Sequence, residues 1–314
     1  MEIMDVTLRE SVYYGKGLKN EDALEYLRKL KENISSEWIS YVEVGYINND
    51  VEAPLHYNEK YLENVFDICK DTYKITAMMH VPKADMTRWN PQIIKKLDLV
   101  RVVVGHHVPN ELQKYVDYLH KLGVKISVNI TYIAGMEQQE LIKQIERAER
   151  MGVDYIFCAD SSGSFSQVMT KRVSDLLLAH CGKMVTGIHL HDHMQMALAN
   201  AVTARDCGIA MTDVSVTGAG KGGGNLKMEQ GLLALNGTEN LSYELFQGLH
   251  NMIKYFAELI GRDGDFYTQN MADFLTGLYR LKLKDTDMLE KECGTDYDRY
   301  FRLVTQNYTP FETE

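Results

Sequence analysis

The chain has 314 residues, of which 45% are hydrophobic and 25% are charged, so it is long enough for one large barrel or two ordinary domains. Its formal net charge of -10, with no run of lysine or arginine, argues against a nucleic-acid surface, which needs a basic stripe. No stretch approaches ~20 uninterrupted apolar residues, and the first residues show no basic region followed by a long apolar segment, so we expect a cytoplasmic protein.

Short β-rich runs alternate with amphipathic helical stretches from the first residues onward. The first helix begins near Asn20, a residue type that caps helices. The predicted strands cover residues 2–8, 41–44, 74–79, 98–104, 124–130, 153–158, 184–190 and 211–217. The main predicted helices between them cover residues 20–33, 59–70, 111–122, 138–151, 167–180 and 197–207.

Strands that alternate with helices imply a parallel sheet with right-handed crossovers. Eight such units in about 235 residues fit a closed barrel, so the predicted fold class is α/β, a (β/α)8 TIM barrel over residues 1–238. An open doubly wound sheet is the alternative. It is disfavoured because no Gly-x-Gly-x-x-Gly follows the first strand and because polar residues follow many different strands.

From about residue 239 the pattern changes to helices alone, predicted at 242–260, 270–283 and 285–304. We expect a helical C-terminal extension over residues 239–314 that packs against the barrel. Its aromatic residues would cover a barrel face or a subunit contact, and these are Phe256, Phe266, Phe274 and Tyr279. We also expect that these helices could bind a second copy of the chain or a partner enzyme.

Two histidines, His189 and His191, lie two apart at the end of an apolar run, so on a strand both point to one face. Two imidazoles on one face form half of a metal site, although an isolated His-x-His pattern is a weak signal. In a (β/α)8 barrel the residues just past the strand ends line one mouth. The side chains predicted to meet there are Thr7, Arg9, Glu10, Glu43, His189, His191 and those of the loop 218–225.

A carboxylate and two neutral imidazoles make an incomplete coordination sphere, which water and substrate would complete. Mixed nitrogen and oxygen ligands suit Mn²⁺, Mg²⁺, Fe²⁺, Co²⁺ or Zn²⁺, and ligand type alone does not choose among them. Arg9 beside such an ion would place a fixed cation where an enolate oxygen or a carboxylate needs one.

Four segments in this order resemble the DRE-TIM metallolyases, a superfamily of metal-dependent aldolases, lyases and synthases. They are residues 5–10, 42–45, 189–192 and 218–225, which read DVTLRE, VEVG, HLHD and GAGKGGGN. The superfamily contains 4-hydroxy-2-oxovalerate aldolase, hydroxymethylglutaryl-CoA lyase and the isopropylmalate, citramalate and homocitrate synthases. Within it, residues 159–163 and 217–225 look closest to the 4-hydroxy-2-oxovalerate aldolases.

The resemblance implies roles for individual residues. It implies that Arg9 steadies an enolate and that Glu43 organises the site. It implies a divalent metal, Mn²⁺ or Mg²⁺ first, with the ligands Glu10, His189, His191 and Asn225. The predicted substrate contacts are Thr7, His80, His106 and Thr217.

Two departures from the family pattern affect these roles. The first segment continues Arg9-Glu10-Ser11 where the family has Arg-Asp-Gly, and a glutamate there resembles the homocitrate synthases. The position of the aldolase base histidine holds Tyr13, and a phenol with a pKa near ~10 is a poorer base at neutral pH. The candidates for the base are therefore Tyr13, His80, His106 and His107.

The resemblance and the residues together predict a metal-dependent aldolase or lyase acting on a 2-oxo acid such as pyruvate. One alternative keeps the enolate and changes the electrophile to an acyl-CoA, as in the synthases, and Glu10 favours it. A second alternative is a non-catalytic metal-binding barrel. A purely structural metal site has no need of an arginine beside it, so Arg9 argues against that second alternative.

Overall fold

Eight parallel strands close into a barrel in which each strand pairs with the next along the chain and β1 pairs with β8. A computed structural model describes residues 1–13, 18–49, 54–237 and 241–309. The predicted TIM barrel is confirmed. Its strands are β1 (Glu2–Asp5), β2 (Tyr41–Tyr46), β3 (Lys74–Met79), β4 (Leu99–Val104), β5 (Lys125–Ile130), β6 (Tyr155–Asp160), β7 (Val185–Leu190) and β8 (Met211–Val214).

Helices follow the strands; the short α1 lies at the mouth of the barrel, and the longer helices cover its outside. The helices up to the end of the barrel are α1 (Thr7–Glu10), α2 (Asn20–Asn33), α3 (Glu59–Cys69), α4 (Pro91–Ile94), α5 (Leu112–Lys121), α6 (Gln138–Arg150), α7 (Gln167–His180), α8 (Ala197–Cys207) and α9 (Met228–Leu235). The C-terminal helices are α10 (Tyr243–Leu259), α11 (Gly264–Leu278), α12 (Leu283–Cys293) and α13 (Tyr297–Asn307).

Two strands, β1 and β8, end three residues earlier than predicted, and local backbone structure explains both ends. The run predicted at 2–8 stops at Asp5, because the Asp5 carboxylate accepts a hydrogen bond from the Thr7 amide at 2.8 Å and so starts a turn. Residues 7–10 then form α1. The run predicted at 211–217 stops at Val214, and Thr217 takes a left-handed φ of 56° inside a short 3₁₀ turn.

The inside of the barrel holds a small apolar cluster below a polar layer. Alternation along the strands explains both, because residues two apart share a face. The apolar cluster is Met4, Val6, Tyr41, Leu99, Tyr155, Phe157 and Met211. Two residues further along β2, β4 and β8 the same face carries Glu43, Arg101 and Asp213, all buried.

The C-terminal helices pack on the barrel helices rather than standing apart. Phe256 of α10 is fully buried, with its ring centroid 6.0 Å from that of Tyr26 on α2. Tyr279 is also buried and Phe274 is partly buried, whereas Phe266 is 59% exposed. The predicted domain boundary at 238/239 falls outside the described residues and stays a prediction.

The helix predicted at 285–304 is wrong, because the chain forms two helices there. Gly294 ends α12 with a φ of 57°, which favours glycine, and the Asp296 carboxylate caps α13 by accepting from the Arg299 amide. The helix predicted at 270–283 begins earlier, at Gly264, behind a cap from Asp263. Among the described residues, no helix combines the length and apolar character needed to span a bilayer.

Candidate active site

A cavity of about 390 Å³ opens where the strands end, within the ~300–1,000 Å³ range of small-molecule sites. Side chains from the ends of several strands line it, as the barrel fold predicts. Five of the predicted site residues line this cavity, and they are Arg9, Glu10, His80, His189 and His191. The structure therefore brings residues from the two ends of the barrel sequence to one place.

His189 is held by a carboxylate that the sequence analysis missed. Its Nδ1 donates to Asp213 Oδ2 at 2.7 Å, because a carboxylate only accepts, and its Nε2 lies 3.8 Å from Glu10 Oε1. Burial acts to raise the pKa of Asp213, but the charge of Arg101 and the bond from His189 outweigh it and lower that pKa to about 2. Asp213 is thus ionised and fixes the imidazole with Nε2 toward Glu10.

Arg9 is held between two carboxylates. Its Nε donates to Glu43 Oε2 at 2.7 Å, and its Nη1 forms an ion pair with Glu10 Oε1. Arg9 is only 7% exposed and Glu43 is fully buried. Glu43 therefore fixes the guanidinium, and the remaining face of Arg9 reaches the cavity.

A second arginine, Arg101, lies fully buried beneath this layer and links it across the barrel. Its Nη2 donates to Asp213 Oδ2 at 2.7 Å and its Nη1 lies 3.3 Å from Glu43 Oε1. Its guanidinium carbon lies 4.4 Å from the centre of the Phe157 ring, an arrangement typical of a cation–π contact. Arg101 therefore connects the carboxylate that holds Arg9 to the one that holds His189.

His191, directly after β7, pairs with Asn225 in the loop that follows β8. Their backbones form an isolated bridge, and the Asp192 amide donates to Gly224 O at 2.8 Å. The His191 ring centroid lies 5.2 Å from that of His189. Burial, then the nearby His189 and Arg9, lower the pKa of His191 to about 3, so this imidazole is neutral at pH 7.

Three buried atoms on the predicted metal ligands have no hydrogen-bond partner among the described residues, and they are Glu10 Oε2, His191 Nδ1 and Asn225 Oδ1. Asp213 Oδ1 and Arg101 Nε in the layer beneath them also have none. Buried polar atoms are normally paired, so orphaned oxygens and an orphaned nitrogen in one place indicate a missing ligand. Among the described residues, no group of three His, Cys, Asp or Glu side chains is already arranged to coordinate a metal ion. The donor types fit a divalent cation, and Glu10 would have to leave its pair with Arg9.

His80 lines the cavity from the end of β3. Its ring stacks on Tyr46 at 5.5 Å between centroids, and its Nδ1 lies 3.2 Å from Asn48 Nδ2. Burial first, then Lys83 and Arg9, lower the pKa of His80 from its ordinary value, so its neutral form is favoured.

Other predicted residues lie away from the cavity. Thr7 and Thr217 are buried and do not line it, since Thr7 Oγ1 accepts from the Val216 amide at 2.9 Å and the Thr217 amide donates to Glu229 Oε2 at 3.1 Å. His106 is exposed and does not line it either. The Tyr13 side chain lies outside the described residues, so its predicted role stays a prediction.

His193 also lines the cavity, and a close approach of glycines holds it in place. A Cβ on Gly222, whose φ is +64°, would lie 2.2 Å from His193 Nε2. Only glycine allows that backbone conformation and that contact without strain. The glycine-rich loop therefore packs on the third histidine of the motif His189-Leu190-His191-Asp192-His193, a role that the motif did not indicate.

Comparisons with known proteins agree with this architecture. The HMGL-like family model matches residues 101–253. The 4-hydroxy-2-oxovalerate aldolase of Ralstonia pickettii is 26% identical over 237 residues, which cover 72% of this chain and 66% of that protein. The oxaloacetate decarboxylase of Mycobacterium tuberculosis is 22% identical over 318 residues, covering 98% and 91%. The N-terminal domain of a provisionally named aldolase from Bacteroides vulgatus superposes with a TM-score of 0.69 at 25% identity, covering 88% and 97%.

The resemblance to the metallolyase superfamily predicted from the four segments is confirmed by the HMGL-like match and by the aldolase relatives. The chain spans about two thirds of the length of the Ralstonia pickettii aldolase, 66% of that protein being covered.

Proposed function

We propose that this protein is a divalent-metal-dependent lyase that makes or breaks a carbon–carbon bond beside the carbonyl of a 2-oxo acid such as pyruvate. The observation that carries the proposal is the meeting of Arg9, Glu10 and His189 in one cavity, with Glu10 Oε1 3.8 Å from His189 Nε2. Relatives named 4-hydroxy-2-oxovalerate aldolase and oxaloacetate decarboxylase support it, because both names denote 2-oxo acid substrates. An aldolase of the 4-hydroxy-2-oxovalerate type is the first candidate.

Glu10, His189, His191 and Asn225 would hold the metal ion, with Mn²⁺ or Mg²⁺ the first expectation. When bound, the ion supplies Lewis acidity at the keto oxygen of the substrate. The orphaned atoms of Glu10, His191 and Asn225 support this assignment. Asp213 supports it as well, because an ionised carboxylate on Nδ1 orients His189 and raises its basicity as a ligand.

Arg9 would stabilise the negative charge that develops on the enolate oxygen. Its guanidinium is held by Glu43, so little reorganisation is needed when that charge appears. Removing one such donor in other enzymes costs about 10²–10³ in turnover. We expect the same range for Arg9.

His80 is the best-placed candidate for the base among the described residues. It lines the cavity and its neutral form is favoured. Its Nδ1 accepts from Asn48 Nδ2 at 3.2 Å, so His80 would have to exchange that hydrogen bond to take a proton from C3 or from a substrate hydroxyl. Arg9 would stabilise the enolate that both directions of the reaction share.

A second candidate function is decarboxylation of a 2-oxo acid with a carboxylate on C3. Two observations favour it. The oxaloacetate decarboxylase relative aligns with 98% of this chain, including the C-terminal helices. Loss of CO₂ also leaves the bonding electrons on the enolate directly, so this reaction needs no base to break the carbon–carbon bond.

Proton NMR of 2-oxo acids in D₂O tests the common half of these proposals. The purified protein is loaded with Mg²⁺, or with Mn²⁺ at a concentration low enough that it does not broaden the substrate signals. It is expected to exchange the C3 protons of pyruvate faster than the metal alone does. Oxaloacetate, 4-hydroxy-2-oxovalerate and acetyl-CoA with a 2-oxo acid would then be offered to distinguish decarboxylase, aldolase and synthase. Absence of turnover and of exchange with every substrate would contradict the lyase and favour the non-catalytic barrel.

Three variants separate metal binding from chemistry. We expect Arg9→Ala to keep bound Mn²⁺ but lose turnover about 100-fold or more. His191→Ala is expected to lose both. His120→Ala is the matched control, because that histidine lies on α5 beside Asp154 and does not line the cavity. Normal turnover in Arg9→Ala would overturn its assigned role.

A further inference from the structure

We propose that Lys221 selects 2-oxo acids that carry a second carboxylate, so that the substrates of this site are dianionic 2-oxo dicarboxylates. The inference rests on the proposed function, because it takes the first carboxylate and the ketone to lie beside Arg9 and the metal. It deepens that function by naming the charge class of the substrate. It favours the second candidate, because pyruvate and 4-hydroxy-2-oxovalerate carry one carboxylate each, whereas a 2-oxo acid with a carboxylate on C3 carries two.

The backbone of Lys221 is fixed at the rim of the cavity that Arg9 lines from below. Its carbonyl accepts from the Gly224 amide at 3.2 Å, and Gly224 O in turn accepts from the Asp192 amide at 2.8 Å. Gly222, the next residue, packs against the ring of His193. The loop therefore holds the backbone of Lys221 in a defined position at the cavity, within which a flexible lysine side chain is able to reach a bound substrate.

Lys221 has no acidic partner of its own within the described ranges. Glu10 is the one carboxylate of those residues that lines the cavity, and it is paired with Arg9. Asp160 accepts from the Ser164 and Phe165 amides at 3.0 and 2.9 Å, and neither it nor Asp192 lines the cavity. Lys221 is thus an exposed lysine at the cavity whose ammonium group has no carboxylate within ion-pair distance among the described residues.

The net charge of the side chains around the cavity indicates which group of the substrate Lys221 would bind. Five side chains beneath the cavity are linked by ion pairs. Two are positive, Arg9 and Arg101, and three are negative, Glu10, Glu43 and Asp213. With neutral imidazoles and a divalent cation the group carries one positive charge, which the carboxylate of a 2-oxo acid balances. The charge of Lys221 then remains, and a second substrate carboxylate balances it.

Titration calorimetry with acids of matched chain length tests this inference. The probes are oxaloacetate and 2-oxoglutarate, which are dianions, and 2-oxobutanoate and 2-oxopentanoate, the monoanions of the same lengths. With Mn²⁺-loaded wild-type protein we expect each dianion to bind about tenfold more tightly than its monoanion, the size of one charge-assisted hydrogen bond. Initial rates with oxaloacetate add a kinetic readout.

We expect Lys221→Ala to remove this preference and Lys221→Arg to retain it. In Lys221→Ala the KM for oxaloacetate is expected to rise about tenfold, with a smaller effect on kcat. Lys121→Ala is the matched control, because Lys121 is an exposed lysine at the end of α5 and does not line the cavity. It is expected to leave both affinities unchanged.

Two results would overturn the inference: equal affinities for monoanions and dianions in the wild type, or a dianion preference that survives in Lys221→Ala. Failure of the proposed function looks different. In that case neither class of acid would bind more tightly with Mn²⁺ than without it, and His191→Ala would bind both as well as the wild type. Comparison of the two patterns therefore tests the selectivity of Lys221 apart from the metal chemistry.

Discussion

Replacing Arg101 by methionine tests whether the buried charge network holds the barrel together. The change keeps an unbranched side chain but removes the guanidinium that contacts Glu43 at 3.3 Å and Asp213 at 2.7 Å. Both carboxylates are buried, so water cannot replace the lost partner. We therefore expect a loss of stability together with weaker metal binding, since the carboxylate that orients His189 would lose its main counter-charge.

The size of the effect follows from the partners that remain. Breaking a buried ion pair by removing one partner costs about 3–5 kcal/mol. Glu43 still has Arg9 at 2.7 Å and Asp213 still has His189 at 2.7 Å, so we expect the lower end, about 3 kcal/mol. An unfolding entropy of about 2.1 cal/mol/K per residue over 314 residues converts this to a Tm lower by about 5 °C.

Arg28→Met is the matched control, because Arg28 pairs with Glu25 at 2.8 Å on the surface, with about half of each side chain exposed. Exposed pairs contribute about 0–1 kcal/mol, so its Tm should fall by less than about 2 °C. Calorimetry or circular dichroism at one pH and salt concentration measures both variants. Equal Tm shifts in the two variants would refute the argument that burial makes the Arg101 contacts important.

Three further predictions concern single positions. Asp213→Asn should weaken Mn²⁺ binding about 10–100-fold, because His189 loses its ionised partner, and an unchanged affinity by Mn²⁺ titration would contradict this. Gly222→Ala should lower kcat/KM at least tenfold with little change in circular dichroism, since its Cβ would collide with His193; full activity would contradict it. Burial raises the pKa of Asp5 from 3.8 to about 6, so the folded state favours the protonated acid and stability falls as pH rises through about 4 to 6. Asp5→Asn should lose that pH dependence in urea titrations, and a parallel pH profile would contradict it.

The fold was predictable because the period of the apolar residues switches regularly between strand and helix. The predicted bounds 74–79 match β3, and those of 20–33, 167–180 and 197–207 match α2, α7 and α8. The ends of β1 and β8 were not predictable from that pattern. There the side chain of Asp5 and the left-handed backbone of Thr217 stop the strand while the sequence, rich in valine and threonine, still favours a strand.

The site was predictable only in part, for a related reason. Arg9, Glu10 and the histidine pair can be identified from the sequence, because their residue types and their positions at strand ends indicate a site. Arg101 and Asp213 do not, because each is one charged residue within a short strand, and its importance comes from partners on other strands far along the chain. The signal that was available is the arginine in the middle of Leu-Val-Arg-Val-Val-Val, where an unpaired charge would be costly.

The charge network also divides unequally between the two halves of the barrel sequence. Arg9, Glu10, Glu43 and Arg101 all belong to the first four strand–helix units and balance one another, whereas Asp213 comes from the last strand. A fragment holding only the second half would bury a carboxylate whose cation lies on the missing piece. Half-barrels cut between β4 and β5 should therefore behave differently, with the first half better able to collapse alone and the second dependent on complementation by it.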